Sequence, residues 1–365
     1  MSMTIPDIRV TRTQAPKQRP DDAELSFGKV MTDHMFLMDY EEGKGWHDPR
    51  IVPYGPLSMD PATSVLHYGQ TVFDGLKAFR GQDGTVRLFR AQRHAERLNR
   101  SCAALCIPPM DPELIRRSFE ELVAVDHDWV PRRAGTSLYI RPTVVATEVQ
   151  LGVHPAHRLT YFVICSPVGA YYKEGMKPVR ILATDKYVRA VRGGLGEAKT
   201  AANYAASLAA AQDAEAQGYT QVLWLDGVER RYLDEVGTMN IMVKIGDEVI
   251  TPPLAGTILD GVTRNSILTL LRDWGVKASE RPVTIDEVMQ AGRDGTLREM
   301  WGTGTAAVVS PVGLLGYKGE KVVINGGETG PLTQKLYEAI VAIQYGTAPD
   351  AHGWTSEVKV PAEAS

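Results

Sequence analysis

The sequence predicts a two-domain protein of the mixed α/β (α+β) class. A chain of 365 residues is longer than one hydrophobic core usually organises, so two domains are expected. Strand-like and helix-like segments alternate without a regular β-α-β period, which favours a small α+β domain and a larger mixed domain. The segment GAYYKEGMKP at 169–178 is polar and aromatic and contains glycines and a proline. We therefore interpret it as the linker between domains at 1–168 and 179–365.

The first domain is expected to begin with a loose arm, because residues 1 to about 25 are polar and dotted with prolines. Apolar residues at helical spacing predict a helix over 92–106 that ends before Pro108. A second helix should start at Pro112 with Asp111 as its cap. Four runs with strand-like composition are MFLMDY (35–40), TVRLFR (85–90), LYIRPTVVAT (138–147) and LTYFVICSP (159–167).

The second domain shows the same mixture of elements. An Ala-rich stretch predicts a helix over about 200–217 that Gly218 terminates. Two further helices are expected over about 264–274 and 331–345. Strands are predicted at VRILAT (179–184), at QVLWLD (221–226) and on both sides of Gly246-Asp247.

Composition excludes several classes of partner. Forty-four acidic and 40 basic residues leave a net charge of −4, so the composition does not indicate a nucleic-acid-binding protein. No apolar run reaches the roughly 20 residues that cross a bilayer. Three cysteines are too few for a disulfide framework or a four-cysteine zinc site. We therefore expect a cytoplasmic protein, although arginines and lysines within 9–19 leave a transit segment open.

The segment GGLGEAKT at 193–200 nearly matches a phosphate-binding P-loop. Ala198 replaces the second required glycine, and no strand leads directly into the segment, so an NTPase is not expected. Lys199 nevertheless lies among glycines and alanines, which would let a flat ring approach the backbone. A position just before a helix disfavours its ammonium form and favours a neutral amine or imine. A surface lysine ahead of an Ala-rich helix remains an equal alternative.

Pyridoxal phosphate chemistry would explain Lys199, because that cofactor needs a lysine, a carboxylate beside its ring nitrogen and groups that bind phosphate. Glu235 is the carboxylate candidate, on a strand that we expect to continue through 241–243, and an edge glutamate in water is the alternative. The phosphate candidates are Arg97, the helix start after LDGVTR (259–264) and the loop GTGTAA (302–307).

The strand LYIRP at 138–142 offers a candidate carboxylate receptor. Successive side chains of a strand point to opposite faces, so Tyr139 and Arg141 should share one face. An arginine beside a tyrosine can bind a carboxylate against an apolar wall. A solvated strand face is equally compatible with this pattern.

Together these segments resemble the branched-chain aminotransferases of the class IV pyridoxal-phosphate family. The resemblance extends from about Phe36 to about Gln344, with its motifs in family order and at family spacing. These motifs are HYGQTVFDGLKAFRG (67–81), LYIRP (138–142), LGV (151–153), GGLGEAKTAANY (193–204), DEVGTMN (234–240), TPPLAGTILDGVTR (251–264) and WGTGTAAVVSPV (301–312).

The resemblance implies a role for each matching residue. Lys199 is implied as the Schiff-base lysine and proton carrier, Tyr204 as the partner of the ring hydroxyl, and Glu235 as the partner of the pyridine nitrogen. The implied phosphate binders are Arg97, Val262, Thr263 and Thr305. Tyr68, Arg141 and Ala306 are implied to hold substrate carboxylates, and the implied pocket wall comprises Phe36, Phe73, Tyr139, Tyr171, Thr238 (also placed at the cofactor) and, from the partner subunit, Val153.

The family further implies a homodimer whose smaller α/β domain and larger pseudo-barrel domain enclose the active site. The implied reaction transfers the amino group of leucine, isoleucine or valine to 2-oxoglutarate. Two rivals within the family are a D-amino-acid aminotransferase and an aminodeoxychorismate lyase, and a non-catalytic cofactor- or oxo-acid-binding regulator is a third. Some animal members carry a Cys-x-x-Cys redox pair where this sequence has Ala307 and Ser310, so that regulation is not expected here.

Overall fold

The computed structural model describes residues 6–169 and 176–360. The chain divides into two compact units, which are Met1–Tyr171 with Ala342–Ser365 and Tyr172–Val341. The division falls within 169–178, but the assignment of 342–365 to the second domain was wrong. These residues join the first unit because Thr355–Glu357 pairs with Val86–Phe89 and because the Tyr345 hydroxyl donates to the Thr136 carbonyl. Tyr171 lies outside the described residues.

The first unit contains a sheet of nine strands with two long helices. The described strands before the division are β1 Arg9–Val10, β2 His34–Glu41, β3 Gly45–Pro53, β4 Thr71–Phe73, β5 Leu76–Arg80, β6 Val86–Phe89, β7 Ser137–Ala146 and β8 Arg158–Val168. The helices are α1 Ser64–Tyr68, α2 Ala91–Ala104 and α3 Pro112–Val125, followed by a 3-10 turn at His127–Trp129.

Local sequence explains why these helices form and which face they bury. In α2 the apolar side chains recur every three to four residues, and Ala95, Leu98 and Cys102 are fully buried against the sheet. In α3 the Asp111 carboxylate accepts the Glu113 backbone N–H at 2.9 Å and Pro112 occupies the first turn, as predicted. The sheet order is β1-β3-β2-β8-β7-β5-β6, so β7 lies near its centre.

The second unit contains a further sheet of nine strands. Its strands are β9 Val179–Thr184, β10 Gln221–Leu225, β11 Leu233–Val236, β12 Met239–Ile245, β13 Glu248–Thr251, β14 Ala278–Glu280, β15 Leu297–Gly304, β16 Val308–Tyr317 and β17 Glu320–Val323. Its helices are α4 Ala201–Ala205, α5 Leu208–Ala216, α6 Val262–Asp273 and α7 Ile285–Arg293. The last elements of the chain are a 3-10 turn at Asn325–Gly327, α8 Pro331–Gln344 and β18 Thr355–Glu357.

Six strands of this second sheet close into a barrel. The path β11-β10-β9-β16-β15-β12 returns to its start because β11 also pairs with β12. Closure removes the open edges and buries one side of every strand, so Leu223, Ile241 and Leu315 have essentially no exposed surface. The pseudo-barrel implied by the resemblance is confirmed.

Three local predictions in this unit were wrong. The helix predicted over 200–217 is two helices, α4 and α5, because the chain turns at Ala206–Ser207. The strand of Glu235 does not run on through Ile241, because Gly237 at φ +55° turns β11 back into β12. In 302–307 the first three residues belong to β15, and the turn is confined to 305–307. Among the described residues, no helix has the length and apolarity needed to span a membrane.

Candidate active site

Lys199 lies on the loop that joins β9 to α4, directly before the helix. Its side chain is half-buried, its Nζ donates to the Tyr204 hydroxyl, and Nζ is 4.9 Å from the Tyr204 ring centroid. The Asn203 amide donates to the carbonyls of Leu195 and Ala198, each at 2.7 Å, and so ties the loop to the helix that follows. Lys199 is therefore a positioned side chain rather than a solvated surface lysine.

The glycines before Lys199 have a structural reason of their own. A β-carbon at Gly196 would lie 2.5 Å from the Thr257 carbonyl oxygen, and Gly193 has φ +79°, where other residues are strained. From the sequence, we interpret the small residues here as room for a flat ring. The structure shows that these two glycines also let the loop turn and pack against the backbone at Thr257.

Glu235 is a buried carboxylate inside the barrel unit, with 4% of its surface exposed. Its Oε1 accepts the Leu259 backbone N–H at 2.9 Å, and its Oε2 lies 3.6 Å from Nη1 of Arg189. A buried carboxylate needs such partners to remain ionised. The alternative of a glutamate in water at a sheet edge is excluded.

The neighbouring Asp234 behaves differently. The pKa of Asp234 is raised to about 6, chiefly by burial and in part by the charge of Glu235, while the charge of Arg189 opposes the rise. Its Oδ1 accepts from the Thr257 hydroxyl at 3.3 Å, whereas its buried Oδ2 has no hydrogen-bond partner among the described residues. Two adjacent acids thus have different environments, and Glu235 is the one held by a backbone donor and a cation.

A small cleft in the second unit is lined by three of the eight predicted cofactor residues. The residues that line it include Arg189, Ala198, Tyr204, Glu235, Thr238 and Leu259. The Lys199 amine donates to the hydroxyl of Tyr204, one of the residues that line this cleft. The structure therefore brings together Lys199, Tyr204, Glu235 and Thr238.

The start of α6 lies next along the same chain segment. Leu259, which donates to Glu235, is two residues ahead of the cap Gly261. Val262 and Thr263 form the first turn and are buried, and the N–H groups of a first turn have no intrahelical acceptor. Such a helix start binds anions, including phosphate.

Asn240 links this helix start to the barrel strands. Its amide donates to the Leu259 carbonyl at 2.9 Å, and it stands in register between Glu235 on β11 and Thr303 on β15. Thr303 in turn donates to the Val308 carbonyl at 2.8 Å and clamps the turn that carries Thr305 and Ala306. Both of these turn residues are half-buried.

In the first unit, Tyr139 and Arg141 share one face of β7, as predicted. Arg141 Nη2 donates to the Tyr139 hydroxyl at 3.0 Å, and its guanidinium lies 4.6 Å from the Phe73 ring centroid. Close contact with Gly75 fixes Tyr139, since a β-carbon there would lie 1.9 Å from the hydroxyl. The arginine is thus held between two aromatic rings, which is the arrangement of an oriented cation with apolar walls.

Arg97 is buried on α2 in a charged cluster. Its Nε and Nη2 each donate to the Asp74 carboxylate at 2.8 Å, and His94 Nδ1 lies 2.7 Å from the same carboxylate. Burial alone would raise the pKa of Asp74, but Arg97 and His94 outweigh it and hold that pKa well below its ordinary value. The cluster fixes the direction of the Arg97 guanidinium.

The remaining predicted substrate residues of the first unit differ in exposure. Phe36 has 0% exposure and packs edge-on against Tyr161 in the core of this unit, and its place in a pocket wall stays a prediction. Tyr68 ends α1 with its side chain exposed. Val153 is 85% exposed on the connection between β7 and β8.

Sequence reasoning missed Arg189, Asp74 and Asn240. Arg189 donates to the carbonyls of Gly196 and Thr257 and faces Glu235, so it joins three segments of the site. Each of the three is a polar residue with at least one partner about 20 or more residues away in sequence, namely Thr257 for Arg189, Arg97 for Asp74 and Leu259 for Asn240. Asp74 alone carried a local signal, because it stands between two apolar stretches in TVFDGLKAF.

Comparison with known proteins gives consistent matches. Residues 71–315 match the family model for amino-transferase class IV. Over 362 residues, 99% of this chain and 100% of the relative, the chain is 56% identical to branched-chain-amino-acid aminotransferase 2 of Bacillus subtilis (strain 168).

Two solved structures are similar over most of the chain. The T.th. branched-chain amino acid aminotransferase with pyridoxamine 5′-phosphate matches with a TM-score of 0.73 and 26% identity, over 88% of this chain and 98% of that one. The same enzyme complexed with N-(5′-phosphopyridoxyl)-L-glutamate matches with a TM-score of 0.71 and 25% identity, over the same shares.

Proposed function

The chain belongs to the class IV aminotransferases, and we propose that it transfers the amino group of L-leucine, L-isoleucine or L-valine to 2-oxoglutarate by means of pyridoxal 5′-phosphate. The observation that carries the proposal is the cleft in which Tyr204, bonded to the Lys199 amine, and the buried Glu235 carboxylate face the same space. The substrate class follows the names of relatives that match along nearly the whole chain.

The residues proposed to hold this cofactor, all in the second unit except Arg97, fit it by the chemistry of their donors. Lys199 offers an amine for the aldehyde carbon, Tyr204 a hydroxyl for the ring oxygen, and Glu235 a buried carboxylate for the ring nitrogen. The amides of Val262 and Thr263 and the hydroxyl of Thr305 offer donors for a phosphate, and Arg97 offers a guanidinium. When bound, the cofactor supplies a carbonyl that condenses with amines and a ring that withdraws electrons from the substrate Cα.

We assign the proton transfer to Lys199. With the cofactor bound, the Lys199 amine would be the group that accepts and returns a proton at Nζ. The Tyr204 hydroxyl holds Nζ in reach during that transfer. Glu235 would hold the ring nitrogen of the bound cofactor, and Arg189 and the Leu259 N–H are the partners that a buried carboxylate needs.

The proposed reaction poses a recognition problem, because one pocket must accept both an aliphatic side chain and the γ-carboxylate of glutamate. We propose that Arg141 binds the γ-carboxylate, while the rings of Tyr139 and Phe73 accept the branched chain. Tyr68 and Ala306 are proposed to hold the α-carboxylate. Burying a leucine-sized side chain is worth about 2 kcal/mol, so discrimination among the three aliphatic substrates should be weak.

We also propose that the protein acts as a homodimer. The exposed apolar side chains of Val149, Leu151 and Val153 on the β7–β8 connection support this proposal, because such a group gains from burial against a partner copy. Analytical ultracentrifugation of the cofactor-loaded protein tests the assembly. The cytoplasmic location stays a prediction, which cell fractionation tests.

The decisive experiment is an absorbance spectrum of the purified, cofactor-loaded protein before and after addition of amino acids. L-Leucine should shift the cofactor band, and 2-oxoglutarate should restore it. D-Leucine should leave the band unchanged, whereas a D-amino-acid aminotransferase would respond to that enantiomer. A protein that binds the cofactor but shows no spectral change and no turnover would instead be the non-catalytic regulator.

A further inference from the structure

The connection between β7 and β8 carries three metal-ligating side chains that the proposed reaction does not use. Glu148, His154 and His157 each offer one ligand atom, and these atoms all lie within 4.8 Å of one another. Two imidazole nitrogens and one carboxylate oxygen form a donor set that Zn²⁺ and similar ions bind, with a water as the fourth ligand.

Hydrogen bonds orient the two histidines as metal ligands usually are. His157 Nδ1 lies 2.6 Å from Oε2 of Glu42, and His154 Nδ1 lies 2.9 Å from the Pro155 carbonyl oxygen. Since a carboxylate and a carbonyl accept, Nδ1 is the donor in both rings, and Nε2 of each ring is the nitrogen left for a metal. Ligating histidines almost always donate their other N–H to such an acceptor.

The third ligand is also held in place. Oε2 of Glu148 accepts the His157 backbone N–H at 2.8 Å, which leaves Oε1 for a metal and links the two ligands directly. The backbone is anchored as well, since the Glu148 carbonyl accepts from Ser64 N and the His157 carbonyl from Glu42 N, each at 2.9 Å. Pro155 restricts the preceding His154 to extended conformations.

The surrounding charge favours a cation. The surface depression at this place is lined by the carboxylates of Glu41, Glu42 and Glu148 and by the single guanidinium of Arg158. Arg158 is itself paired with Glu41 at 3.2 Å. Three carboxylates against one guanidinium leave the depression negative, and the half-exposed His157 side chain leaves it open to an incoming ion.

We propose that Glu148, His154 and His157 bind one divalent transition-metal ion of the zinc class, with water completing the coordination. Zinc–ligand bonds of about 2.1 Å in tetrahedral geometry place ligand atoms about 3.4 Å apart. The ligand atoms, which lie within 4.8 Å of one another, would approach by up to about 1.4 Å to reach this geometry. The ion joins the beginning of the β7–β8 connection to its end and so restrains the segment that carries Val153.

The test is a calorimetric titration of full-length, cofactor-loaded protein, freed of metal with EDTA, with zinc chloride alone. One ion per chain with a dissociation constant below about 1 μM is expected. Glu42→Gln removes the charged partner of His157 and should weaken binding by roughly 10- to 100-fold. His154→Ala and His157→Ala each remove a ligand and should weaken zinc binding more than Glu42→Gln does. Glu148→Gln keeps an acceptor for the His157 N–H but loses the anionic ligand, so it should also weaken zinc binding.

Two matched controls separate this site from other zinc ligands on the surface. His352→Ala removes another exposed histidine and Cys106→Ser removes the exposed thiol, and neither should change the titration. Cobalt(II) in place of zinc should give the strong visible absorption of a four-coordinate ion. A sulfur-to-cobalt charge-transfer band would place the ion at a cysteine and overturn the proposal.

The proposal also fails if no stoichiometric binding is seen, or if the double variant His154→Ala/His157→Ala binds zinc as tightly as the parent. Both side chains are exposed, so the double variant should retain the parent's circular dichroism and melting temperature without metal. The proposal is likewise refuted if zinc does not stabilise the parent, or if it stabilises the double variant to the same extent.

Discussion

Replacing Arg141 separates recognition of the γ-carboxylate from general substrate binding. Arg141→Met keeps an unbranched apolar chain between the rings of Phe73 and Tyr139 but removes the guanidinium that donates to the Tyr139 hydroxyl. A hydrogen bond to a charged group is worth about 1.5–3 kcal/mol, which corresponds to roughly ten- to a hundredfold in rate. We expect that loss with glutamate and 2-oxoglutarate, and much less with leucine.

The assay follows cofactor absorbance in single turnovers, with leucine and with glutamate in separate experiments. Each half-reaction then reports its own rate, so the ratio of the two losses isolates the γ-carboxylate contact. Tyr139→Phe is the matched control, because it removes the hydroxyl that accepts from Arg141 but keeps the ring. It should reduce the glutamate half-reaction less than Arg141→Met does. Arg141→Lys keeps the charge without the planar fork and should fall between them.

Two results would refute this reasoning. Equal losses with leucine and glutamate, together with a lower melting temperature, would show that the half-buried Arg141 has a structural role on β7. Little change in either half-reaction would show that the arginine is not in the site. Neither result would affect the role proposed for Lys199.

Three further predictions concern the second unit. Lys199→Ala should abolish transamination in a coupled glutamate assay, whereas Lys186→Ala, on the same connection but paired with Asp213, should remain active. Glu235→Gln keeps an acceptor for the Leu259 N–H but loses the charge, so the cofactor should still bind while turnover falls on the order of 10²-fold. Asp234→Asn should stabilise the protein at pH 7. Because the folded pKa of Asp234 is raised to about 6, the free energy of unfolding of the parent falls as pH rises from about 4 to 6, by up to about 3 kcal/mol. The variant has no carboxylate to ionise and avoids this loss. Urea unfolding at pH 4 and pH 7 measures this gain, which should vanish at the lower pH.

Features that depend on neighbouring residues could be predicted from the sequence. The buried stripe of α2, the Asp111 cap of α3 and the shared face of Tyr139 and Arg141 all follow from local spacing and local hydrogen bonds. The strand VRILAT at 179–184 matches β9 residue for residue. In each case the determining contacts lie within a few positions along the chain.

Features that depend on distant pairing could not be predicted in this way. Phe36 and Tyr139 are both aromatic residues on strands, yet one packs in the core and the other carries a hydrogen-bonded hydroxyl. Which face of β2 is covered depends on α3, which begins 71 residues after β2 ends (112 − 41). The return of β18 to β6 likewise spans most of the chain, and three residues give too little pattern to predict it.

Glu235 illustrates the same limit at the centre of the site. The sequence alone is compatible with two environments for Glu235, a sheet edge in water or a position beside a cofactor. Local propensity favours neither. The choice depends on β11 pairing with both β10 and β12, because that double pairing closes the barrel and buries the carboxylate. Once it is buried, its charge requires partners, and the structure supplies Arg189 and the Leu259 N–H from segments 46 and 24 residues away (235 − 189 and 259 − 235). Barrel closure therefore makes Glu235 a buried anion, and a buried anion is what a protonated ring nitrogen requires.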